Sequence, residues 1–380
     1  MSQFNRSYFD YNSTTPLLPD VKKAITKAMD IFGNPSSTHS VGQQSRELIE
    51  TSRDVIAKRL AVKSSQILFT GSATESNNQV LNSFLSPFIK NQEPVHILYS
   101  AIEHSSVRAY IEWMQSLGID CDEIQVDGKG LIDLDHLKSQ IKPHTKLIVV
   151  MLCNNEVGTI QPIKEIVEIA KAHDIKVHTD AVQALGKIDV NADDLGVDFL
   201  SFSGHKIYAP KGVGGLYVKD EETLSSLLHG GGHERRLRAG TENILGIAAL
   251  KVAFEAIDPV GYNALITPLR NYFLDQLVTI EGAVVHTDTQ ISVCNTLNVG
   301  FKGLDGVNLA MSLDLDGFSV STGSACSSGS IEPSPVLSAM GIDEVLNKGS
   351  LRLSLGLYNT KENIDKFMIS LNTAIAQART

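Results

Sequence analysis

Cysteine is scarce in this chain: 380 residues hold 4, at Cys121, Cys153, Cys294 and Cys326. None sits in a C-x-x-C spacing or beside a Cys/His ladder, which argues against a structural zinc site and against a disulfide framework. Positive charge is also short. Lys and Arg number 33 against 43 Asp and Glu, for a formal net charge of -10, and no long basic cluster is present. Nonspecific binding to nucleic acid or to an anionic membrane is therefore not expected. No apolar run approaches the roughly 20 residues of a membrane span. The first residues, Met1 to Tyr8, lack an apolar signal core, so a cytoplasmic location is expected. Internal repeats are absent, and the only biased stretch is the Ser/Gly-rich run from Ser319 to Ser330. What remains is ordinary globular composition, 42% hydrophobic and 20% charged, in a chain too long for one ordinary core.

Hydrophobic periodicity alternates between the two regular structures. Val21, Ala24, Ile25, Ala28, Met29 and Phe32 recur at helical spacing after Pro19, and Val41 to Leu60 continues as a longer amphipathic helix. Ile67 to Thr70 reads as a strand, Gly71-Ser72-Ala73 as a tight connection, and Thr74 to Leu85 as a helix. Strands follow at His96 to Tyr99, Lys146 to Leu152, Val177, Phe199 and Gly214 to Val218, separated by helical patterns. Such βα repetition predicts a mainly parallel sheet covered on both faces, with ligands at the carboxyl ends of its strands. Asp258-Pro259-Val260-Gly261 reads as a break, beyond which alternation is less regular: a helix to Ile280, strands near Asn295 to Val299, and a closing helix from Asn363 to Ala378.

The chemistry concentrates where strands should end. Ser203-Gly204-His205-Lys206 places a lysine directly after the apolar run Asp198 to Phe202, and Lys176 to Gln183 ends a second run with Asp180 and Gln183 three residues apart. Alone, such a lysine is ordinarily a solvated strand end and such an aspartate a helix cap. Together, and in this order, they form a pair with a known use. A desolvated lysine forms Schiff bases, and an aspartate facing a pyridinium nitrogen is the usual partner of pyridoxal 5'-phosphate.

The motifs extend through nearly the whole chain: Tyr11-Asn12-Ser13-Thr14-Thr15-Pro16, Gly33-Asn34-Pro35-Ser36-Ser37, Ala73-Thr74-Glu75-Ser76-Asn77, Glu103-His104, Asn154-Asn155-Glu156-Val157-Gly158, Ser203 to Lys206, Gly231-Gly232-His233-Glu234 and Gly323-Ser324-Ala325-Cys326. In these the sequence strongly resembles the cysteine desulfurases of the NifS/IscS-like group, within the class V aminotransferase branch of fold-type-I pyridoxal phosphate enzymes. The resemblance implies an α/β fold: a large cofactor-binding domain over residues 16–257, with a mainly parallel sheet flanked by helices. A smaller α+β domain would comprise 1–15 and 258–380 and carry the cysteine loop. It also implies a homodimer.

Carried over residue by residue, Lys206 would form the Schiff base, Asp180 would keep the pyridine nitrogen protonated, and Gln183 would bond the phenolic oxygen. His104 would stack on the ring and shuttle a proton. Thr74, Ser203 and His205 would hold the phosphate with N–H groups at the Ala73-Thr74 helix start, and Thr241 would reach the phosphate of the neighbouring subunit. Asn155 and Arg352 would fix the substrate carboxylate. Gly71-Ser72 inverts the commoner order of that pair while keeping two small residues before the helix.

Cys326 sits among Ser, Gly and Ala residues that pack poorly, so it is expected to be the nucleophile that takes sulfur from L-cysteine as a persulfide and releases L-alanine. Cys121, Cys153 and Cys294 are expected to be structural. Candidate sulfur acceptors are an iron-sulfur scaffold, a transfer-RNA thiolation enzyme, or proteins of cofactor synthesis or DNA sulfur modification. The chain ends at Thr380 soon after its last helix, whereas some relatives carry a further tail that docks a scaffold, so scaffold docking stays open. Competing readings are a selenocysteine lyase, an aminotransferase for a small amino acid, and a noncatalytic sulfur carrier.

Overall fold

The computed structural model describes residues 6–322 and 332–379; Cys326 lies outside them. The chain opens with β1 (Ser7–Tyr8), α1 (Pro19–Ala28), α2 (Ser40–Arg59), β2 (Ile67–Thr70), α3 (Ala73–Asn91), β3 (His96–Ser100), α4 (Ser105–Ser116) and β4 (Asp120–Ile124). It continues through α5 (Leu134–Gln140), β5 (Thr145–Val149), α6 (Ile163–Lys171), β6 (Lys176–Asp180), α7 (Ala192–Leu195), β7 (Phe199–Ser203), β8 (Gly214–Val218) and α8 (Ile244–Glu255). The remainder is α9 (Pro259–Leu277), β9 (Ala283–Val285), β10 (Thr296–Phe301), α10 (Gly306–Leu315), β11 (Phe318–Ser319), α11 (Pro335–Ala339), α12 (Glu344–Lys348), β12 (Ser350–Ser354) and α13 (Lys361–Ala378).

Seven strands form one sheet in the order β2-β8-β7-β6-β5-β3-β4. Only β8 runs antiparallel to its neighbours; the other pairs are parallel, as the βα alternation predicts. Period-2 alternation divides the strand side chains between two cores. Ile67, Phe69, Leu98 and Ile148 join a cluster with Val21, Ile56, Ile166 and Leu250 from α1, α2, α6 and α8. Leu68, Ile97, Leu147 and Val149 join Val80, Leu81, Val107 and Ile111 from α3 and α4 on the other face. Covered twice, β7 buries all five of its residues, which is why it reads as a continuous apolar run.

A three-stranded antiparallel sheet, β12-β10-β9, lies against a separate cluster drawn from α9, α10 and α13. Phe9 enters this cluster with no exposed surface, its ring 5.5 Å from Phe273 and 5.2 Å from Phe367. Burying one such ring contributes about 1.5–3 kcal/mol. It also anchors the start of the segment Asp10 to Thr15. Among the described residues no helix is long and apolar enough to cross a membrane.

Two element ends differ from the sequence reading. The α3 helix runs through Pro87 to Asn91 rather than stopping at Leu85, because Phe84 and Phe88 pack on the core beside β3 and β7 and outweigh the proline. Asp258-Pro259 is a start rather than a boundary loop: Asp258 caps Gly261 N at 3.0 Å and Pro259 opens the 19-residue α9.

Gly214 shows how tightly the sheet edge meets the start of α3. A Cβ there would stand 2.6 Å from the carbonyl oxygen of Phe202 and 3.1 Å from Cα of Ser72. Gly214→Ala is expected to cost about 1–3 kcal/mol through overpacking, measured as a lower denaturant midpoint. An unchanged midpoint would show that the strand and the Ser72 turn separate freely.

Candidate active site

Parallel strands direct their carboxyl ends to one edge, and the polar residues that follow β2, β3, β5, β6 and β7 meet there. They line a cavity of about 370 Å³ bounded by Ser72, Ala73, Thr74, His104, Asn155, Asp180, Gln183, Ser203, His205, Lys206 and Arg352, with Asn12, Ser13, Ser106, Met151, Cys153 and Val182 completing the wall. All but two of the site residues anticipated from sequence converge on it. Thr241 is exposed and lies apart from the cavity of its own chain. Cys326 falls outside the described residues.

Lys206 ends the single turn after β7, and its Nζ donates to the main-chain oxygens of Asn12 and, at 2.8 Å, of Ser13. Asp180, the last residue of β6, is 5% exposed. Its carboxylate accepts from Val182 N at 2.9 Å and from Asn77 Nδ2 at 2.8 Å. Asn77 is itself fixed. Nε2 of His178 meets Asn77 Oδ1 at 3.0 Å, and burial holds the His178 ring neutral by pushing its pKa down to about 3. A neutral ring bonded to an amide oxygen is the Nε2–H tautomer, so the whole chain of bonds aims donors at Asp180. Asn77 also donates to Ser106 Oγ at 2.9 Å.

His104 caps α4. Its Nδ1 accepts from Ser106 N at 3.1 Å, which leaves the proton of the neutral ring on Nε2. Burial lowers its pKa, with Asp180 opposing and Lys206 and Arg352 adding to the effect. His205 is likewise pushed down, to about 4, by burial and by Lys206 and Lys211, so at neutral pH it acts through a neutral ring. At the other end of the cavity Ser72 caps α3, and Ser76 N to Ser72 O is the first bond across its opening turn. The N–H groups of Ala73 and Thr74 precede that bond, so they lack intrahelical acceptors.

Arg352, on β12 and 4% exposed, pairs with Asp10 at 2.7 Å and donates to Ser13 Oγ at 2.6 Å and Asn155 O at 3.2 Å. Its Nε and the Oδ1 of Asn155 are buried without a hydrogen-bond partner among the described residues. Beside it, Glu156 accepts from Ser334 Oγ at 2.5 Å, and burial raises its carboxyl to about 7 despite that bond and Arg352. Glu103 accepts from Met151 N at 2.6 Å, and complete burial raises its carboxyl well above the usual carboxylate range despite that bond. The three described cysteines are buried, and desolvation pushes the thiols of Cys121 and Cys153 up to about 12 and that of Cys294 to about 11.

Asn12, His178, Ser106 and Lys187 were not singled out from sequence. Lys187 left one signal, a lysine four residues after Gln183 in the apolar stretch Ala184-Leu185-Gly186. The others are ordinary polar residues with partners far along the chain: Asn77 on α3 for His178 and Ser106, Thr296 and Asn295 for Asn12.

A carboxylate, an amine and a helix N-terminus meet around one cavity, a donor and acceptor set that could hold a phosphorylated, basic ring. Residues 7–367 match the aminotransferase class-V family, and the chain belongs to it. Members of this family depend on pyridoxal phosphate, and the donor set fits that group: Asp180 for a protonated nitrogen, Lys206 for an aldehyde carbon, the α3 start for a phosphate. The chain is 42% identical, over 98% of its length and 95% of the relative's, to cysteine desulfurase IscS of Dictyoglomus turgidum. Its fold superposes on a NifS-like protein with a TM-score of 0.92 at 35% identity, covering 98% of this chain and 100% of that one. The structure of SspA in complex with cysteine matches with a TM-score of 0.83 at 33% identity over 93% of this chain and 100% of that chain. Within its family, the chain is a cysteine desulfurase of the IscS/NifS type.

Glu156 gives a pH test of the site's construction. Its carboxyl is raised from 4.5 to about 7 in the fold, so its contribution to stability is present below pH 4.5 and lost as pH rises through 7. Glu156→Gln keeps an acceptor for Ser334 and does not titrate. Relative to the unsubstituted protein, the variant should gain stability with rising pH, by up to about 3 kcal/mol above pH 7. Denaturant titrations at pH 5 and pH 8 measure this; a constant difference between the two proteins would refute it.

Proposed function

We propose that the cavity holds pyridoxal 5'-phosphate and L-cysteine, and that Cys326 receives the substrate sulfur. The observation that carries this is the convergence of Lys206, Asp180, Gln183 and the start of α3 on one cavity. Lys206 would hold the cofactor through its side-chain amine. Asp180, with both oxygens held by donors, keeps the pyridine nitrogen protonated, and Gln183 bonds the phenolic oxygen. Thr74, Ser203, His205 and the N–H groups of Ala73 and Thr74 hold the phosphate. When bound, the cofactor supplies an electron sink for the carbon atoms of the substrate.

Asn155 and Arg352 bind the substrate carboxylate. The unpartnered Nε of Arg352 leaves one guanidinium donor uncommitted, and the substrate shares the guanidinium with Asp10. His104, its Nδ1 held by Ser106 N, would lay its imidazole against the cofactor ring and offer the Nε2 proton to the substrate as a shuttle. The Cys326 thiolate attacks the substrate sulfur, an S–S bond forms, and the C–S bond breaks with its electron pair left on carbon. Protonation of that carbon gives alanine. The raised thiol pKa values of Cys121, Cys153 and Cys294 favour Cys326 as nucleophile. The complex of the related SspA with cysteine supports cysteine as the substrate. The persulfide then passes to an acceptor protein, whose class includes iron-sulfur scaffolds and thiolation enzymes. The exposed Thr241 is proposed to complete the phosphate site of a second copy in a homodimer.

Lys206→Ala should lower alanine release from cysteine by at least about a thousandfold. Cys326→Ser should still bind cofactor and substrate but retain no persulfide. Mass spectrometry after brief exposure to cysteine locates the sulfur, and a persulfide on Cys121, Cys153 or Cys294 would overturn the assignment. Keto acid in place of alanine would favour a transaminase.

The shared site has its own test. Mixing Thr241→Ala with Lys206→Ala protein should restore part of the activity, because one site of each heterodimer is then intact. No recovery despite demonstrated subunit exchange would exclude a Thr241 contribution across subunits.

A further inference from the structure

Lys187 is 5% exposed, and its Nζ lies inside the protein. Its hydrogen-bond partners are two neutral amide oxygens, Gln183 Oε1 at 2.5 Å and Asn12 Oδ1 at 3.1 Å. Burying an ammonium group without a carboxylate is costly. Desolvation lowers its pKa to about 7, with the Cys153 and Cys294 thiols opposing and Lys206 and Arg352 adding to the fall. A residue of similar length without the amine would pack at lower cost, so the amine calls for an explanation at the atoms it touches.

Gln183 is an amide with two unlike ends, and either end fits the same space. A lysine ammonium group donates and never accepts, so the atom of Gln183 facing Lys187 must be the oxygen. A neutral amine still has two N–H groups, enough to keep donating to both oxygens. With its oxygen taken, Gln183 turns Nε2 the other way, where it donates at 2.9 Å to the main-chain oxygen of Asn12. That same oxygen accepts from Lys206 Nζ. The second contact repeats the device. Asn12 Oδ1 takes Lys187 and, at 3.0 Å, Asn295 Nδ2, leaving Asn12 Nδ2 to donate to Thr296 Oγ1 at 2.8 Å and Asn155 O at 3.2 Å. Lys187 and Lys206 also line a second cavity of about 190 Å³.

We infer that Lys187 is a positioning residue that locks the Gln183 amide in one orientation, its NH₂ group turned to the main-chain oxygen of Asn12 and available to the phenolic oxygen of pyridoxal phosphate. This rests on the role proposed above for Gln183. A hydrogen bond to that oxygen withdraws charge from it, and oxygen charge favours the protonated Schiff base. Loss of the lock therefore raises the pH at which the bound chromophore titrates and weakens cofactor binding.

The experiment compares Lys187→Met in the unsubstituted protein and in Gln183→Met. Apoprotein of each is titrated with pyridoxal phosphate, and the absorbance of the bound chromophore is followed against pH. Lys187→Met should raise the cofactor dissociation constant by about fivefold and move the chromophore midpoint upward by about half a pH unit or more. In the Gln183→Met background it should add less than about twofold and no further movement of the midpoint. Unchanged binding and midpoint in the single variant, or an equal effect with Gln183 already removed, would overturn the proposal.

Should Lys187→Met not fold, Lys187→Gln replaces the obligate donor with an amide that can face Gln183 either way round. It should shift the midpoint in the same direction by a smaller amount, and an unshifted midpoint there would overturn the inference equally. If the unsubstituted protein takes up no pyridoxal phosphate, the reading of the cavity itself falls.

Discussion

The register between β6 and β7, which places Asp180 opposite Ser201, is the constraint on which the site depends. In a sheet a slip of one residue sends every side chain to the other face. Here such a slip would carry Asp180 away from Asn77 and move Ser203 and Lys206 relative to it. The register is held by side chains that have no alternative. Phe199 and Phe202 belong to cores on opposite faces of the sheet, so neither can exchange sides without exposing a ring. Hydrophobic burial thus sets the distance between the acid and the amine, although neither takes part in it.

A second constraint comes from desolvation. Glu103, Glu156, His178 and Lys187 are all enclosed, and each is driven toward its neutral form. Neutral groups keep direction where charges would lose it: a neutral histidine has one donor and one acceptor, and a protonated carboxyl has one O–H. The bonds around Asp180 are therefore ordered by tautomer as well as by distance. Polar networks of this kind hold a unique arrangement only when nearly every member is satisfied. Among the described residues Glu103 Oε2, His178 Nδ1, Asn155 Oδ1 and Arg352 Nε are left buried without a partner, and of these residues Asn155 and Arg352 line the cavity.

The N-terminal segment joins these systems. Phe9 is fixed in the aromatic cluster of Phe273 and Phe367, and three residues later Asn12 offers its main-chain oxygen to Lys206 and Gln183. Asn12 also reaches Thr296 and Asn295, so a shift of the small sheet relative to the large one reaches the cavity through a few bonds. Ser13 and Asp10 hold Arg352 from the same segment. A short irregular stretch carries this role because the main-chain oxygens of Asn12 and Ser13 are not committed to a helix or a ladder.

By itself the sequence determined the βα alternation, the parallel sheet and the strand ends that carry Asp180, Ser203 and Lys206. Those signals are local: an apolar run of strand length followed by polar residues can be read without knowing the partner strand. It also carried enough matching motifs to point to the family. The extent of α3 past Pro87 and the opening of α9 at Pro259 depended on what those segments pack against, so their ends were misread. Only the tertiary structure decided which way the Gln183 amide faces, that Lys187 is buried between two amide oxygens, that His178 supports Asn77, and that Arg352 is already paired with Asp10. Each of these joins residues far apart along the chain or fixes an orientation within one side chain. Hydrophobic periodicity has no term for either, because it records which face is buried and not which atom meets which.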